Sequence, residues 1–140
     1  RIYGKKGFYQ YQCVIPKKPD GANNLRKLLQ SISDAKTGSF LAILKLFGPR
    51  DEPYLAFASE GYTLALDFPN RSGTEALFKK LDEIVLQSGG RLYLTKDARM
   101  SRTMFEEGYP QLGLFKAEKK RIDPENRYTS IQAVRLGLVH

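Results

Sequence analysis

The hydrophobic pattern of the chain contains four short strand-like runs. Each run is rich in apolar, aromatic or β-branched residues and is bounded by glycine or proline, which is typical of β-strands. The runs are residues 8–15, 39–47, 62–68 and 91–95. Successive side chains of a strand point to opposite faces of its sheet. The pattern therefore predicts a four-stranded sheet whose two faces can be compared residue by residue.

Two segments between these runs have apolar residues at helical spacing. A candidate N-cap, Asp20 or Asn23, precedes the first helix, and Gly38 follows it. Ser72 and Glu75 have the spacing of a capping box at the start of the second helix. The apolar stripes are Leu25, Leu28, Leu29 and Ile32, then Leu77, Phe78, Leu81, Ile84 and Val85. The order β-α-β-β-α-β predicts an α+β, ferredoxin-like fold, with an antiparallel sheet and both helices on one face. Short C-terminal helices are expected at residues 101–107, 111–121 and 129–138.

The two helices leave one face of the predicted sheet free. The more uniformly apolar side of each strand should face the helices, which places Leu64, Leu66 and Leu92 in the core. The opposite face mixes polar and apolar residues, as ligand pockets do. It carries Gln10, Gln12, Leu41, Ile43, Lys45, Phe47, Thr63, Ala65, Asp67, Arg91, Tyr93 and Thr95, with Lys96 at the end of the fourth strand.

The polar residues on this face each have a structural and a functional interpretation. Lys45 lies within an apolar strand, so it either extends past its neighbours to water or is held for an anion. Lys96 is either part of a surface ion-pair cluster with Asp97 or a cation placed for chemistry. Gln10 and Gln12 either belong to a solvated strand or bind a ligand.

Composition excludes several kinds of site. At 140 residues, with 41% hydrophobic and 27% charged residues, the chain has the size and balance of one globular domain. Its one cysteine, Cys13, is predicted to be a buried and inert side chain, and its one histidine is the terminal His140. Zinc, haem and Ser/His/Asp chemistry need imidazole or thiolate groups at defined positions. We therefore expect no metal site.

The chain carries a formal charge of +8, with basic residues in short pairs and in one denser run at 116–121. Such a run forms either a solvated face or an anion-binding surface. The chain begins at Arg1 and has neither a leader-like segment nor a membrane-spanning apolar run. We expect a piece of a longer, cytoplasmic protein without a transmembrane segment.

Three motifs together resemble the FAD-linked sugar oxidases of the vanillyl-alcohol-oxidase superfamily. They are residues 44–50, residues 67–69 and residues 89–99. Within that superfamily the decaprenylphosphoryl-ribose oxidases are the most similar and the aldonolactone oxidases are more distant. The resemblance implies that residues 1–90 are a substrate-binding cap. It also implies that residues 91–140 dock on an N-terminal FAD-binding domain that is absent here.

The resemblance implies an FAD-dependent oxidoreductase acting on CH–OH groups, which oxidises a sugar or sugar-lactone hydroxyl by hydride transfer to FAD. FAD would be bound mainly by the N-terminal domain, so this chain alone is expected to be inactive. By position, Lys96 would be catalytic and Tyr93 would contact the cofactor. The substrate-binding residues would be Gln10, Gln12, Lys45, Phe47, Thr63 and Ala65. Thr63 and Ala65 stand where the mycobacterial oxidases have asparagine and cysteine, which leaves the substrate open.

The alternative is a ferredoxin-like RNA-binding or protein-docking module without catalysis. RNA-recognition modules share the predicted element order and would suit a basic chain. Their aromatic residues, however, lie on the open face of the third strand, whereas Tyr62 and Phe68 are predicted to face the core. We therefore expect no nucleic-acid partner.

Overall fold

The structure is a computed structural model that describes residues 6–37, 39, 41–49 and 53–139. Gly38 and Arg50, which the sequence patterns include, and the termini Arg1 and His140 lie outside the described residues. Ten elements follow one another along the described residues. They are β1 (Phe8–Pro16), α1 (Gly21–Asp34), β2 (Ala42–Phe47), β3 (Gly61–Pro69), α2 (Thr74–Gln87), β4 (Arg91–Leu92), a 3₁₀ turn (Leu94–Lys96), α3 (Arg102–Gly108), α4 (Leu112–Ile122) and α5 (Ile131–Arg135).

The four strands form one antiparallel sheet in the order β2-β3-β1-β4. In this register Cys13 lies between Leu64 and Leu92, and Lys45 lies opposite Thr63. The strand order and the two intervening helices are those of the ferredoxin-like α+β fold, so the predicted fold class is confirmed.

The hydrophobic core lies between the sheet and the two long helices. Alternate residues of β1 and β3 and the apolar stripes of α1 and α2 supply it, as the periodicity predicts. Its most buried members include Cys13, Ile15, Leu28, Phe68, Phe78 and Leu81. Leu29, which the sequence places in the first stripe, is instead 43% exposed.

The C-terminal helices pack on the same core. Met104, Phe105, Tyr109 and Leu136 are almost completely buried in it. The Tyr109 hydroxyl donates a hydrogen bond to the Leu92 carbonyl at 2.6 Å. Residues 102–136 are therefore held by the sheet domain, whereas the expected docking on a second domain stays a prediction.

The fourth strand is shorter than predicted. It covers Arg91–Leu92 rather than residues 91–95, although the Tyr93 amide still donates to the Gln12 carbonyl at 2.9 Å. The chain then turns, because the Lys96 amide donates back to the Tyr93 carbonyl at 3.1 Å. Lys96 therefore ends a 3₁₀ turn and not a strand.

The structure confirms Asp20 as the N-cap of α1 but not the capping box of α2. The N-cap of α2 is Gly73, whose φ of 89° is in the left-handed region that glycine adopts most readily, so Ser72 and Glu75 form no capping box. Asp20 is the N-cap of α1, but its side chain makes no capping hydrogen bond. It accepts a hydrogen bond from the Asn23 side chain at 2.7 Å instead.

Candidate functional site

The face of the sheet that the long helices leave free carries the six predicted substrate-binding residues. The register pairs Gln10 with Asp67, Gln12 with Ala65 and Lys45 with Thr63. Directly opposed residues of antiparallel strands share a face, so these side chains lie on one side of the sheet. They are Gln10 and Gln12 of β1, Lys45 and Phe47 of β2, and Thr63 and Ala65 of β3.

Cross-strand hydrogen bonds orient the two glutamines. The Gln12 Nε2 group donates to the Thr63 hydroxyl at 3.3 Å, and the Gln10 Nε2 group donates to an Asp67 carboxylate oxygen at 3.3 Å. In each pair the amide nitrogen is engaged by the neighbouring strand. The amide oxygens are the acceptors through which these glutamines can contact a ligand.

A segment between β2 and β3 covers part of this face, which we expected to be open. Residues 53–60 cross it, and the Ala56 carbonyl accepts a hydrogen bond from Arg91 Nη1 at 2.8 Å. Val14 and Thr63, on the same face, are 0% and 2% exposed. The expectation of an open face is therefore wrong here, because the sequence pattern did not show where this loop lies.

Three aromatic rings form one wall of a cavity of about 480 Å³ on this face. The Phe57 ring centroid lies 4.6 Å from that of Tyr93 and 6.3 Å from that of Phe47. The other lining residues are Gln12, Pro53, Ala56 and Ala58. Apolar and aromatic walls with one amide at the edge are typical of small-molecule pockets. The sequence interpretation missed Phe57, because no periodicity assigns a loop side chain to a face.

Lys96 lies close to this cavity. It is half-buried and lines a narrow cleft together with Gln10, Gln12 and Tyr93. Because Gln12 and Tyr93 line both spaces, the cleft adjoins the aromatic cavity. Four of the predicted site residues therefore come together at the junction of β1 with the segment after β4.

Lys45, Thr63 and Ala65 line neither space. Lys45 is exposed on an edge strand, and its side chain makes no hydrogen bond or ion pair within the part of the chain that the structure describes. Thr63 is buried beneath Gln12, and Ala65 is half-buried between β1 and β2. An anion contact by Lys45 stays a prediction.

Within the described residues Lys96 takes part in no ion pair, and its acidic neighbour Asp97 has another partner. Asp97 Oδ2 accepts a hydrogen bond from Arg135 Nη2 at 2.6 Å, and Arg99 pairs with Asp82 at 2.8 Å. Burial acts to raise the pKa of Asp97, but the hydrogen bonds from Arg135 and from two backbone amides outweigh it, and the pKa is lowered. Asp97 is therefore an anion at neutral pH whose charge is met by Arg135.

A larger cavity, about 620 Å³, lies on the helix-covered side of the molecule. It runs between α2 and the segment that begins at Arg99, and none of the predicted site residues lines it. In the described residues, no group of three or more His, Cys, Asp and Glu side chains could hold a metal ion. The same part of the chain has no helix of the length and hydropathy needed to cross a membrane.

Residues 12–136 match the family model described as D-arabinono-1,4-lactone oxidase. The chain belongs to the D-arabinono-1,4-lactone oxidase family. The match to this family includes every predicted site residue except Gln10, and it extends from β1 to the residue after α5. Membership in the D-arabinono-1,4-lactone oxidase family confirms the resemblance to the FAD-linked sugar oxidases.

Two relatives of this family member are similar over nearly its whole length. The decaprenylphosphoryl-beta-D-ribose oxidase of Mycolicibacterium smegmatis is 34% identical over 139 residues, which are 99% of this chain and 30% of the relative. A Streptomyces coelicolor protein, described as an uncharacterized protein in mprA 5'region, is 33% identical over 134 residues, 95% of this chain and 36% of the relative. The chain thus spans about a third of the length of these two relatives.

Proposed function

We propose that this chain is the C-terminal, substrate-binding part of an FAD-dependent oxidoreductase that oxidises a hydroxyl group of a sugar or sugar lactone. The name of the family and the name of the Mycolicibacterium relative each describe an oxidase of a sugar derivative, which supports this substrate class. The observation that carries the proposal is the aromatic cavity beside Lys96, with Gln12 at its edge and Gln10 in the adjoining cleft.

The residues of the cavity fit a flavin. Flat aromatic side chains stack well on a heterocyclic ring, and Phe57 and Tyr93 already pack ring against ring at 4.6 Å. We propose that Tyr93 contacts the isoalloxazine and that FAD is otherwise held by the N-terminal part of the full-length protein. When bound, the flavin supplies the acceptor for a hydride from the sugar carbon.

The chain's own residues would bind and polarise the sugar. The free amide oxygens of Gln10 and Gln12 accept hydrogen bonds from sugar hydroxyls. A fixed ammonium at Lys96 would stabilise negative charge that develops on the reacting oxygen, most effectively where the cavity excludes water. Lys45 contacts the substrate, while Phe47, Thr63 and Ala65 shape the surface on which it lies.

We infer that in the parent protein residues 1–90 act as the substrate cap and that residues 91–140, which share its core, also dock on the FAD-binding domain. The C-terminal segment exposes large apolar side chains, which soluble proteins rarely cluster without a partner surface. They are Leu114, Ile122, Tyr128, Ile131 and Val134, each more than half exposed. This exposure supports the parent's own N-terminal domain as the partner of the segment.

The RNA-binding alternative is less well supported. The aromatic residues of β3 lie on the helix-covered side, where Phe68 is 0% exposed and Tyr62 packs against the core. Neither ring can stack on a base, which is how such modules hold RNA.

Replacing Lys96 tests the proposed function. In the full-length parent, Lys96→Ala should lower the rate of anaerobic flavin reduction by D-arabinono-1,4-lactone or decaprenylphosphoryl-β-D-ribose about 10²–10³-fold, because one preorganised charge contact is lost. Lys96→Arg should restore only part of the rate, since a planar guanidinium does not reproduce a compact ammonium. Single-turnover absorbance of the bound flavin measures both.

Lys79→Ala is the matched control, because the Lys79 side chain is 73% exposed on α2, away from the free face. The rate of flavin reduction in Lys79→Ala should equal that in the wild type. An unchanged rate in Lys96→Ala would remove Lys96 from the site. Failure of both sugar compounds to reduce the wild-type flavin would contradict the proposed substrate class.

A further inference from the structure

Helix α5, which is distant in sequence, donates hydrogen bonds to the turn that carries Lys96. Arg135 and Gln132 lie on α5, and both side chains bond to the segment around Lys96. Gln132 Nε2 donates to the Leu94 carbonyl at 2.8 Å, and Arg135 Nη2 donates to Asp97 Oδ2 at 2.6 Å. Arg135 Nη1 also donates to the Met100 carbonyl. The three acceptors lie on both sides of Lys96.

Asp97 is the centre of this arrangement. Its side chain is 3% exposed, and its second oxygen accepts hydrogen bonds from the Arg99 and Met100 amides at 2.9 and 2.6 Å. A buried carboxylate is stable only where hydrogen bonds and an opposite charge compensate its desolvation. The Arg135 guanidinium supplies that charge, so removing it leaves Asp97 with only backbone donors and the longer 3.4 Å contact from Gln132.

Helix α5 is short and partly exposed. It is only five residues long, and Ile131 and Val134 are 90% and 59% exposed. A helix of this length is not stable without tertiary contacts. Leu136 and Leu138 pack against the core just after the helix ends, and within the helix the side chains of Gln132 and Arg135 reach the Lys96 turn.

We propose that Asp97, Gln132 and Arg135 form a clamp that fixes the backbone on both sides of Lys96, and that Arg135 is a positioning residue for the oxidation. The inference rests on the proposed function, because it assigns to the clamp the placement of the Lys96 ammonium. A displacement of about 1 Å at a reacting centre costs on the order of 10² in rate. The clamp limits such displacement by holding the backbone on both sides of Lys96.

The test compares Arg135 variants of the full-length, FAD-loaded protein. Arg135→Met should lower the limiting rate of anaerobic flavin reduction by D-arabinono-1,4-lactone about 10–100-fold, with the apparent Kd of the lactone changed less than about 3-fold. Arg135→Lys should recover part of the rate. The lysine ammonium keeps the positive charge, but it does not reproduce the two hydrogen bonds that the guanidinium donates to Asp97 and Met100. The control is Arg121→Met, which removes an exposed guanidinium–carboxylate pair from α4 and should leave the rate unchanged.

A double variant separates positioning from general destabilisation. If Arg135 acts through Lys96, adding Arg135→Met to Lys96→Ala should slow reduction by no more than about 2-fold further, since coupled residues are not additive. If the fold-reduction in rate of the double variant equals the product of the fold-reductions of the two single variants, Arg135 acts independently of Lys96. That result would overturn the proposal.

Amide hydrogen exchange tests the clamp in the absence of substrate. Amides in the peptide spanning residues 94–100 should exchange at least about 10-fold faster in Arg135→Met than in the wild type or Arg121→Met. Unchanged exchange would overturn the clamp even in a protein that oxidises the lactone. Faster exchange in a protein whose flavin no sugar reduces would keep the clamp as a structural feature, but would contradict the proposed function and Arg135 as a positioning residue for it.

Discussion

At the scale of single residues, Cys13 shows how the sheet suppresses the chemistry of a side chain. It lies between Leu64 and Leu92 on the neighbouring strands and is 0% exposed. Burial raises the pKa of its thiol to about 12. Because the thiolate is the reactive form, the folded protein should leave this cysteine almost unreactive at ordinary pH.

We expect thiol reagents to modify Cys13 only after unfolding. At pH 8 a thiol with a pKa near 12 is ionised about 10³-fold less than an ordinary cysteine, and packing adds a steric barrier. Labelling with 5,5′-dithiobis(2-nitrobenzoic acid) should be at least about 10³-fold slower in buffer than in guanidinium chloride. A native rate close to the denatured rate would contradict the buried position of Cys13.

The two lysines of the free face show what sequence patterns can and cannot predict about a residue. Alternation along β2 places Lys45 on the correct face, because strand register follows a period of two. In the part of the chain that the structure describes, Lys96 is in no ion pair, and Asp97 bonds instead to Arg135, 38 positions further along the chain. A partner at that distance leaves no local signal in the sequence.

At the scale of elements, β2 is unusual because it is apolar and exposed on both faces. It is an edge strand, and most of its residues are exposed. Leu44 and Leu46 point to the helix side yet are 53% and 59% exposed, whereas Ile43 on the other face is 37% exposed. An exposed apolar edge strand offers its unpaired backbone groups to other chains. We therefore expect this chain, when isolated, to associate through β2.

Replacing Leu46 with lysine should reduce that association. A charge on the edge strand opposes strand addition by a second molecule, and a side chain this exposed contributes little to the core, so the free energy of unfolding should change by less than about 0.5 kcal/mol. Light scattering during gel filtration at increasing concentration measures the effect. Leu114→Lys, at a leucine 58% exposed on α4, is the matched control. Equal effects of the two variants would show that association does not involve the edge strand.

The elements themselves were largely predictable, because their apolar residues follow the periods of strands and helices. The exceptions have identifiable physical causes. β4 ends early, because the 3₁₀ turn after Tyr93 is fixed by Asp97 and by Gln132 of α5, a distant element. The loop at residues 53–60 covers the site through contacts of Phe57 and Ala56, which no periodic pattern describes.

At the scale of the whole molecule, the positive charge is partly neutralised where it is densest. In the run at 116–121, three basic side chains have carboxylate partners. The pairs are Lys116–Glu106, Lys119–Asp123 and Arg121–Glu118. Such pairing favours the solvated-face interpretation of the run over an anion-binding surface. The charge of +8 therefore gives little support to a nucleic-acid function.

At this scale we expect the candidate site to need a further part of the parent protein. The chain supplies one aromatic wall, the glutamines and the lysines, but it spans about a third of the length of its two relatives. Dinucleotide cofactors are held mainly through their phosphates, commonly by glycine-rich loops before helices. The sequence has no such loop, and its one histidine is the last residue, which leaves no internal histidine for covalent flavin attachment.

We therefore expect the chain, when produced by itself, to bind no FAD tightly and to oxidise no sugar. After incubation with excess FAD and gel filtration, the protein peak should carry no visible flavin absorbance, because a few ring contacts cannot offset the entropy lost in ordering a large, flexible cofactor. The full-length parent, treated identically, should retain about one flavin per chain and serves as the positive control. Stoichiometric flavin on the isolated chain would mean that the phosphate-binding residues lie within these 140 residues.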